Sequence, residues 1–437
     1  MTNPQFLIVD LFCGAGGTTT GFVQAELEGN SIAKVIACVN HDPKAIKSHW
    51  ANHPEVKHFE EDIRTLDLTD LVALVQFYRI KYPDAYVILW ASLECTNFSK
   101  AKGGQPRDAD SRTLADHLDR YVIALQPDYI EIENVVEFMS WGPLDEKGKP
   151  VSRKNGQDFM RWRKQICSHG YQDEWRELNS ANFGAYTSRN RLFGIFARPG
   201  LPVAWPEPTH TKKPTVHSIH GDLQKWKAVK DVLDFSDEGE SIFNRKVPLV
   251  DASLERIYAG LVKFVANGDT SFIQKHFSGK PMGKVIPING PAGVITTSAN
   301  QSLVQVCFLT HYYGSGGQLS SIDNPAPTIP TKARTALVKC KQMESGPVVI
   351  PVNECDTEFM IKIKQFMAAY GIVDIKMRML RVHELLSIQG FPPGYKLEGT
   401  QADQKKFVGN SVVPLVVQRW TEALGSRLSE NVNRQIA

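Results

Sequence analysis

Cysteine is scarce in this chain and follows no recognisable pattern. Seven cysteines are scattered over 437 residues, and no two of them have the CxxC spacing. Their odd number does not suit a complete disulfide framework. We therefore expect neither a disulfide-stapled fold nor a tetrathiolate zinc site, and we expect no bound metal. The cysteine usage favours a reducing compartment, and we predict a cytoplasmic protein.

Long apolar runs and a dominant charge are missing as well. No stretch approaches the roughly 20 apolar residues that a membrane helix needs. The first twelve residues carry no basic segment, so we expect no signal peptide and no membrane contact. Lysine and arginine total 50 against 47 acidic residues, a formal charge of only +3. Any nucleic-acid footprint must then be a local patch.

Apolar strands alternate regularly with helices in the first 200 residues. The helical patterns are at least ten residues long, which is enough to cross over between parallel strands. This alternation is typical of a doubly wound α/β domain, a parallel sheet with helices on both faces. The strand patterns cover 6–12, 33–40, 86–90, 128–135 and 192–197, and the helical patterns include 68–81, 114–125 and 158–169.

The alternation stops at Arg198-Pro199-Gly200. Prolines, glycines, threonines and basic residues dominate after it, and helical spacing returns only near residue 358. We therefore expect a first domain over 1–204 and a smaller, mostly β and loop-rich domain over 205–359. The C-terminal helices, 360–437, are expected to pack back on the first domain and complete it.

A glycine-rich turn, Gly14–Gly17, follows the first strand directly. Its glycines let the backbone approach a ligand at the start of the next helix. The dinucleotide fingerprint GxGxxG is incomplete, because Thr19 occupies the place of its last glycine, so we expect no pyrophosphate site. Asp42, after the second strand, has two open interpretations. It either grips a ribose or caps the helix that begins at Pro43.

Two reactive side chains follow the ends of strands. Cys95 comes just after the strand that contains Trp90, and Glu133 ends the strand over 128–135. The carboxyl ends of parallel strands border the ligand crevice, so both side chains can face one pocket, where Cys95 would be a nucleophile. The alternative for Glu133 is a solvated strand end. Arg189 and Arg191 point to one face of a strand and either clamp an anion or form a solvated edge.

Together these motifs resemble the cytosine-C5 DNA methyltransferases over nearly the whole chain. The resemblance implies a Rossmann-like catalytic domain and a target-recognition domain over 205–359. It implies transfer of a methyl group from S-adenosylmethionine to C5 of a flipped cytosine in double-stranded DNA, at a specific site, through a Cys95–C6 adduct. The matching segments, in the family's order, are Asp10–Gly17, Cys95 with Phe98-Ser99, Asp110–Arg112 with Leu114, Glu133-Asn134-Val135, Arg189 with Arg191, Arg378–Pro392 and Gly409–Val412.

The resemblance also implies a cofactor pocket. Phe12 would stack on the adenine, the glycine turn would hold the methionine part, and Asp62 would accept from the adenine amino group. Asn40 stands where the family has a ribose-binding acid, which leaves Asp42 as a substitute. The implied set is Phe12, Gly14, Ala15, Gly16, Gly17, Asn40, His41, Asp42, Asp62, Ile63, Leu114, Asn410 and Ser411.

The implied catalytic residues are Cys95, Glu133, Arg189 and Arg191. Cys95 would add to C6, Glu133 would bind the ring N3 and the amino group, and Arg191 would hold Glu133 and the base in register. Because this chemistry cannot reach a stacked base, the cytosine must flip out. A mobile loop with Gly103-Gly104 as hinges would close on the phosphates. Its DNA contacts would come from Ser99, Lys100, Lys102, Arg107 and Arg112.

The chain departs from the family pattern beside the nucleophile. Glu94-Cys95-Thr96 stands where the family has Pro-Cys-Gln, and a neighbouring carboxylate raises the pKa of a thiol. Glu94 therefore either points away or has a task of its own. Two alternatives stay open: the same chemistry on RNA or a modified cytosine, and a DNA-binding relative that has lost catalysis. We expect a monomer that binds double-stranded DNA, and a cognate restriction endonuclease stays open as a second partner.

Overall fold

Two sheets organise the protein. The computed structural model describes residues 3–93, 114–143, 151, 155–214, 223–243, 245–267, 271–276, 279–295, 297, 301–305, 340–342, 350–370 and 372–436. The larger sheet has seven strands in the order β3-β2-β1-β4-β5-β7-β6. These strands are β1 (Phe6–Leu11), β2 (Ala33–Asn40), β3 (Lys57–Glu60), β4 (Tyr86–Ser92), β5 (Tyr129–Asn134), β6 (Gln172–Asn179) and β7 (Asn190–Ala197).

Strands β1 to β5 are parallel, as the sequence pattern predicts, whereas β7 runs antiparallel to both β5 and β6. The reason is the short connection between β6 and β7. Ten residues, 180–189, separate these two strands, and antiparallel neighbours need only a short loop whereas parallel ones need a crossover of a dozen or more. The predicted doubly wound α/β fold is confirmed, with an antiparallel edge.

Helices cover both faces of the larger sheet, so the strands are buried on both sides. One face packs against α3, α4 and α5. The other packs against α1, α2 and the C-terminal helix α10, whose Trp420 is fully buried against Trp90 and stacks on Trp205. The α-helices in the described residues are α1 (Gly17–Val23), α2 (Pro43–Asn52), α3 (Thr69–Lys81), α4 (Leu118–Leu125), α5 (Gln157–Ser168), α6 (Asp251–Lys263), α7 (Glu358–Tyr370), α8 (Val382–Gln389), α9 (Gln401–Asn410) and α10 (Pro414–Ile436).

The second sheet is antiparallel and has six strands. Helices α6 and α7 pack on it around Phe272, Ile363 and Met367. Two-stranded pairs elsewhere join Glu26–Leu27 to Asn30–Ser31 and His210–Thr211 to Gln224–Lys225. The strands of the second sheet are β8 (Glu240–Ser241), β9 (Ser271–Lys275), β10 (Val285–Pro287), β11 (Gln301–Gln305), β12 (Cys340–Gln342) and β13 (Ile372–Met379).

The second sheet continues beyond residue 359, where the sequence pattern places the end of the second domain. Helix α7 and strand β13 both contribute to its core. The matching segment Arg378–Pro392, which the resemblance places on a helix, is divided between β13 and α8. Arg378 lies on β13, and its guanidinium forms a buried bidentate pair with Glu384 of α8 at 2.7 and 2.8 Å. Charged and apolar residues alternate along β13, which is the period of two that is typical of a half-buried strand. We propose a domain boundary near residue 380 in place of 359.

Among the described residues, no helix has both the length and the apolar character required to span a membrane.

Glu131 on β5 is a buried carboxyl group whose Oε1 has no hydrogen-bond partner among the described residues. Burial raises its pKa from 4.5 to about 8. An unfolded chain would release this proton near the lower value. The free energy of unfolding should therefore decrease as the pH rises from about 4.5 to about 8, by on the order of 1.4 kcal/mol for each pH unit between these two values.

We expect Glu131→Gln to remove this part of the pH dependence, because glutamine does not titrate. Urea unfolding across that pH range measures it, with Glu60→Gln, an exposed residue of β3, as the matched control. If Glu131→Gln and the wild type lose stability equally with rising pH, then Glu131 does not carry the effect.

Candidate active site

A cavity opens at the carboxyl ends of β1, β2, β4 and β5. Counted with its open mouth it holds about 970 Å³ of empty space, which is within the range of small-molecule sites. Its walls come from the turn after β1, the β2–α2 junction, the ends of β4 and β5, and the α9–α10 junction. The lining residues are Phe12, Cys13, Gly14, Ala15, Gly17, Thr18, Asn40, His41, Asp42, Ala45, Ser92, Leu93, Glu133, Arg189, Lys406, Phe407, Asn410, Ser411 and Val412.

The turn after β1 has a strained backbone. Phe12 has a φ of 59°, a left-handed conformation that is costly for a bulky side chain and is concentrated at functional sites. Gly14 and Gly16 adopt the same region, which only glycine enters freely. At Gly17 an added Cβ would collide with Ser411 Oγ and the Val412 carbonyl, so glycine lets the two segments meet. The turn and the Asn410–Val412 segment therefore form one wall.

Asp42 caps α2, which is one of its two predicted roles, and it also lines the cavity. Its Oδ1 caps α2 by accepting from the backbone N–H groups of Lys44 and Ala45, at 3.0 and 3.4 Å. Its Oδ2 lies 3.1 Å from Lys406 Nζ, and the residue also lines the cavity. Burial raises the pKa of Asp42, but Lys406 and the two N–H groups together lower it by more, so the pKa lies below its ordinary value. Asp42 therefore faces a ligand as a carboxylate.

Glu133 is buried at the end of β5 beside two arginines. Its Oε1 lies 3.3 Å from Arg191 Nε and 3.8 Å from Arg189 Nη2. The solvated interpretation of this glutamate and of the arginine pair is wrong, since Glu133 is 6% and Arg189 is 3% exposed. Glu133 Oε1 has no hydrogen-bond partner among the described residues. A buried carboxyl group that two arginines hold, and whose Oε1 accepts no hydrogen bond from the described residues, can bind a donor on a planar base.

Arg189 also connects three parts of the protein. Its Nη1 donates to the Gly409 carbonyl on α9 at 3.0 Å and to the Ile295 carbonyl at 3.3 Å. Nearby, Thr187 Oγ1 donates to the Gly293 carbonyl at 2.6 Å. These bonds hold the second domain against the wall of the cavity next to Glu133.

The end of β4 leads from the cavity wall to the predicted nucleophile. Ser92 pairs with Glu133 across the two strands, and both Ser92 and Leu93 line the cavity. Cys95 follows Leu93 by two positions in the sequence. It lies outside the described residues, as do Glu94 and the predicted DNA contacts Ser99, Lys100, Lys102, Arg107 and Arg112.

Several predicted cofactor residues do not line this cavity in the described part of the chain. The Asp62 carboxylate is held by Arg64, at 2.6 to 3.0 Å, and this hydrogen bonding lowers its pKa to about 2. The carbonyl of Ile63 accepts from the Tyr121 hydroxyl at 2.9 Å. Leu114 packs at the edge of the core, and a Cβ at Gly16 would point at Tyr395 and His49. These four residues are therefore not part of the cavity wall.

Lys406 and Phe407 are wall residues that the sequence motifs did not predict. They lie on α9, four and three positions before Asn410, respectively. Because this distance is about one helical turn, both residues lie on the same side of the helix as Asn410. This helical spacing is the sequence signal that could have identified Lys406 and Phe407 as wall residues. Cys13, Thr18, Ala45, Ser92, Leu93 and Val412 were missed as well, and each lies within three positions of a predicted residue or a predicted strand end.

The sheet order, the strained glycine turn and the cavity with its glutamate and arginines define a Rossmann-like methyltransferase fold. Residues 6–426 match the family model described as C-5 cytosine-specific DNA methylase. The chain belongs to this family.

Relatives and solved structures agree with this assignment. The chain is 30% identical over 227 residues to the type II methyltransferase M.XorII of Xanthomonas oryzae pv. oryzae. This alignment covers 51% of this chain and 47% of M.XorII. It is 23% identical over 418 residues to M1.HphI of Haemophilus parahaemolyticus, 95% of this chain and 86% of that one. The match thus spans about half the length of M.XorII and most of M1.HphI.

The Entamoeba histolytica methyltransferase EhMeth and S. pombe Dnmt2 superpose on the structure with TM-scores of 0.51 each. Both are 16% identical to this chain and cover 97% of it, and the alignments include 99% and 98% of those proteins. At this identity the likeness supports the fold alone.

Proposed function

We propose that the protein transfers a methyl group from S-adenosylmethionine to C5 of a flipped cytosine in double-stranded DNA, at a specific sequence, through a covalent Cys95–C6 adduct. The observation that carries this proposal is the buried Glu133 in the same cavity as the glycine turn, with its Oε1 3.3 Å from Arg191 Nε and 3.8 Å from Arg189 Nη2. Family membership supports the reaction class.

The side chains divide the chemistry between them. The Cys95 thiolate adds to C6 of the cytosine, which makes C5 electron-rich. Glu133 accepts a hydrogen bond from the amino group, and a proton shared between its carboxyl group and ring N3 neutralises the negative charge that thiolate addition places on N3, while the arginines keep the carboxyl group oriented. S-adenosylmethionine supplies an electrophilic methyl group when it is bound. After transfer, C5 loses its proton to water or a base, and the electron pair left on C5 expels the Cys95 thiolate from C6.

The cofactor half of the cavity fits a nucleoside with an amino-acid tail. At Gly14, which lines the cavity, no atom lies within 4 Å of the place that a Cβ would take, so a ligand can approach the backbone there. Phe12 offers an aromatic face, Asn40, His41 and Asp42 offer polar groups for a ribose, and Asn410 and Ser411 close the pocket. We assign Asp62, Ile63 and Leu114 to the outer edge of this pocket.

Tyr395 is a positioning residue for the cofactor turn. Its hydroxyl donates to the Ala15 carbonyl at 2.6 Å, and its oxygen occupies the space that a side chain at Gly16 would need. Tyr395→Phe removes one buried hydrogen bond, worth about 0.5–1.5 kcal/mol. We therefore expect S-adenosylmethionine to bind about two- to tenfold more weakly, measured by calorimetry.

Tyr78→Phe on α3, far from the cavity, is the matched control and should bind the cofactor like the wild type. Equal affinity of Tyr395→Phe and wild type would show that the turn holds its shape without this bond.

The nature of the acceptor is tested with tritiated S-adenosylmethionine. Glu94 beside the nucleophile is the observation that favours RNA or a modified cytosine as alternatives. Unmodified double-stranded DNA, tRNA and DNA with modified cytosines should be offered in parallel. The proposal expects label in unmodified DNA, whereas label in only one of the other acceptors would replace it. Binding of DNA without turnover would favour the catalytically impaired relative, and Glu94→Pro should then restore activity.

A further inference from the structure

A buried group of two thiols and an imidazole lies directly beneath the cofactor turn. Cys13 in the turn, Cys38 on β2 and His49 on α2 bring their sulfur and nitrogen atoms within 4.8 Å of one another. Cys38 Sγ is 3.8 Å from His49 Nδ1. All three residues are buried, and Cys13 also lines the cavity, which offers an entry path from solvent.

The hydrogen bonds around His49 identify Nδ1 as its unprotonated nitrogen, which in this structure lies 2.8 Å from His58 Nε2 and 3.8 Å from Cys38 Sγ. Thr19 Oγ1 donates its one proton to Asp10 Oδ2, at 2.8 Å. It must therefore accept from His49 Nε2, which lies 2.9 Å away and carries the ring proton. Nδ1 is then the unprotonated nitrogen. A carboxylate that fixes the far side of an imidazole, here through a hydroxyl, is the outer-shell arrangement that orients metal-binding histidines.

Asp10 provides a second, independent indication of a missing ligand. It is fully buried and is the direct partner of Cys38 across the β1–β2 pair. Its Oδ1 has no hydrogen-bond partner among the described residues. Orphaned buried oxygens are rare and often mark an ion or a water. Asp10 lies beside the group but is not one of the three residues whose ligand atoms lie within 4.8 Å of one another, so a water would supply the oxygen for the fourth position.

We propose that Cys13, Cys38 and His49 bind one thiophilic divalent cation, Zn²⁺, beneath the cofactor turn. Two thiolates, one imidazole and an oxygen ligand are a usual tetrahedral set for zinc. On binding, the two thiols release their protons to solvent, so the site gains a dication and loses two protons. His58 Nε2, now 2.8 Å from His49 Nδ1, must turn away. The cation would clamp the cofactor turn to β2 and α2.

The sequence alone predicts no metal because the three ligands are 25 and 11 positions apart and form no spacing motif. This site goes beyond the proposed methyl transfer and does not depend on it. The metal site is tested by metal binding to the full chain. A failure of the metal proposal therefore does not imply a failure of the proposed methyl transfer, and the reverse also holds.

Cobalt titration of the full-length, chelator-treated protein tests the proposal. We expect one equivalent of Co²⁺ per chain, with a thiolate-to-cobalt charge-transfer band and the ligand-field absorption of a tetrahedral ion, both lost when Zn²⁺ displaces the cobalt. Cys38→Ala should weaken binding at least tenfold and reduce the charge-transfer band. Cys355→Ala, an exposed cysteine outside the group, is the matched control and should bind like the wild type.

Thermal unfolding of each variant establishes that it is folded, and Cys38→Ser provides a second variant of similar size. The proposal is overturned if the wild type takes up no stoichiometric cobalt or zinc. It is equally overturned if folded Cys38→Ala or Cys38→Ser binds the ion as tightly as Cys355→Ala, because the three side chains would then form only a hydrogen-bonded part of the core.

Discussion

Replacing Cys95 by serine should lower methyl transfer to DNA by a factor on the order of 10³ or more. A serine hydroxyl is far less acidic than a thiol and is a much weaker nucleophile without an adjacent base. Without addition to C6, C5 of the cytosine stays unreactive toward the methyl group. Incorporation of tritium from labelled S-adenosylmethionine into DNA measures the loss. Cofactor affinity, measured by calorimetry, should stay unchanged.

DNA that contains 5-fluorocytosine tests the same prediction by trapping the covalent Cys95–C6 adduct. Fluorine cannot leave C5 as a proton does, so the Cys95–C6 adduct should persist and survive denaturation. We expect a stable protein–DNA species with the wild type and with Cys167→Ser, a cysteine on the far side of the sheet, and none with Cys95→Ser. A trapped adduct with Cys95→Ser would assign the nucleophile to another residue.

Glu133→Gln should lower kcat by on the order of 10²- to 10³-fold with little change in cofactor affinity. The substitution keeps the shape of the side chain but removes the negative charge that Arg189 and Arg191 hold in place. Loss of one oriented electrostatic group in a water-excluded site costs this much in other enzymes. Single-turnover methylation measures the chemical step apart from product release.

The control for Glu133→Gln is Glu177→Gln, an exposed glutamate on β6 of the same sheet. It should retain full activity. A Glu133→Gln protein that is folded and keeps wild-type kcat would show that the carboxylate is structural. In that case a loss confined to thermal stability would be expected, since removing one partner of a buried charge pair is destabilising.

The sequence predicts those parts of the fold and cavity that depend on local patterns. The apolar run of β1 leads into the glycine turn, and Glu133 ends a strand, so the shared edge of a parallel sheet brings them together. Strand β13 lies between the helical patterns of α7 and α8, and its alternation of charged and apolar residues was overlooked there. The group of Cys13, Cys38 and His49 was missed because only packing brings distant positions together.

Phe12 and Asp42 also show that local patterns can be predicted from the sequence, whereas contacts between distant residues cannot. A left-handed backbone at Phe12 has no sequence signal, because the conformation is imposed by the surrounding turn. For Asp42 both the cap and the pocket were foreseen as alternatives, and the carboxylate serves the cap through one oxygen and faces Lys406 with the other. The partner on α9 could not be predicted, since 364 residues separate the two.

The most direct test of the proposed function is base-resolution sequencing of DNA from cells that express the wild-type chain or Cys95→Ser, with methylation at C5 and N4 distinguished. We predict 5-methylcytosine at a single recurring sequence in the wild-type sample and its absence in the Cys95→Ser sample. DNA without 5-methylcytosine, or methylation that persists with Cys95→Ser, would contradict the assignment of Cys95 and Glu133 as the catalytic pair.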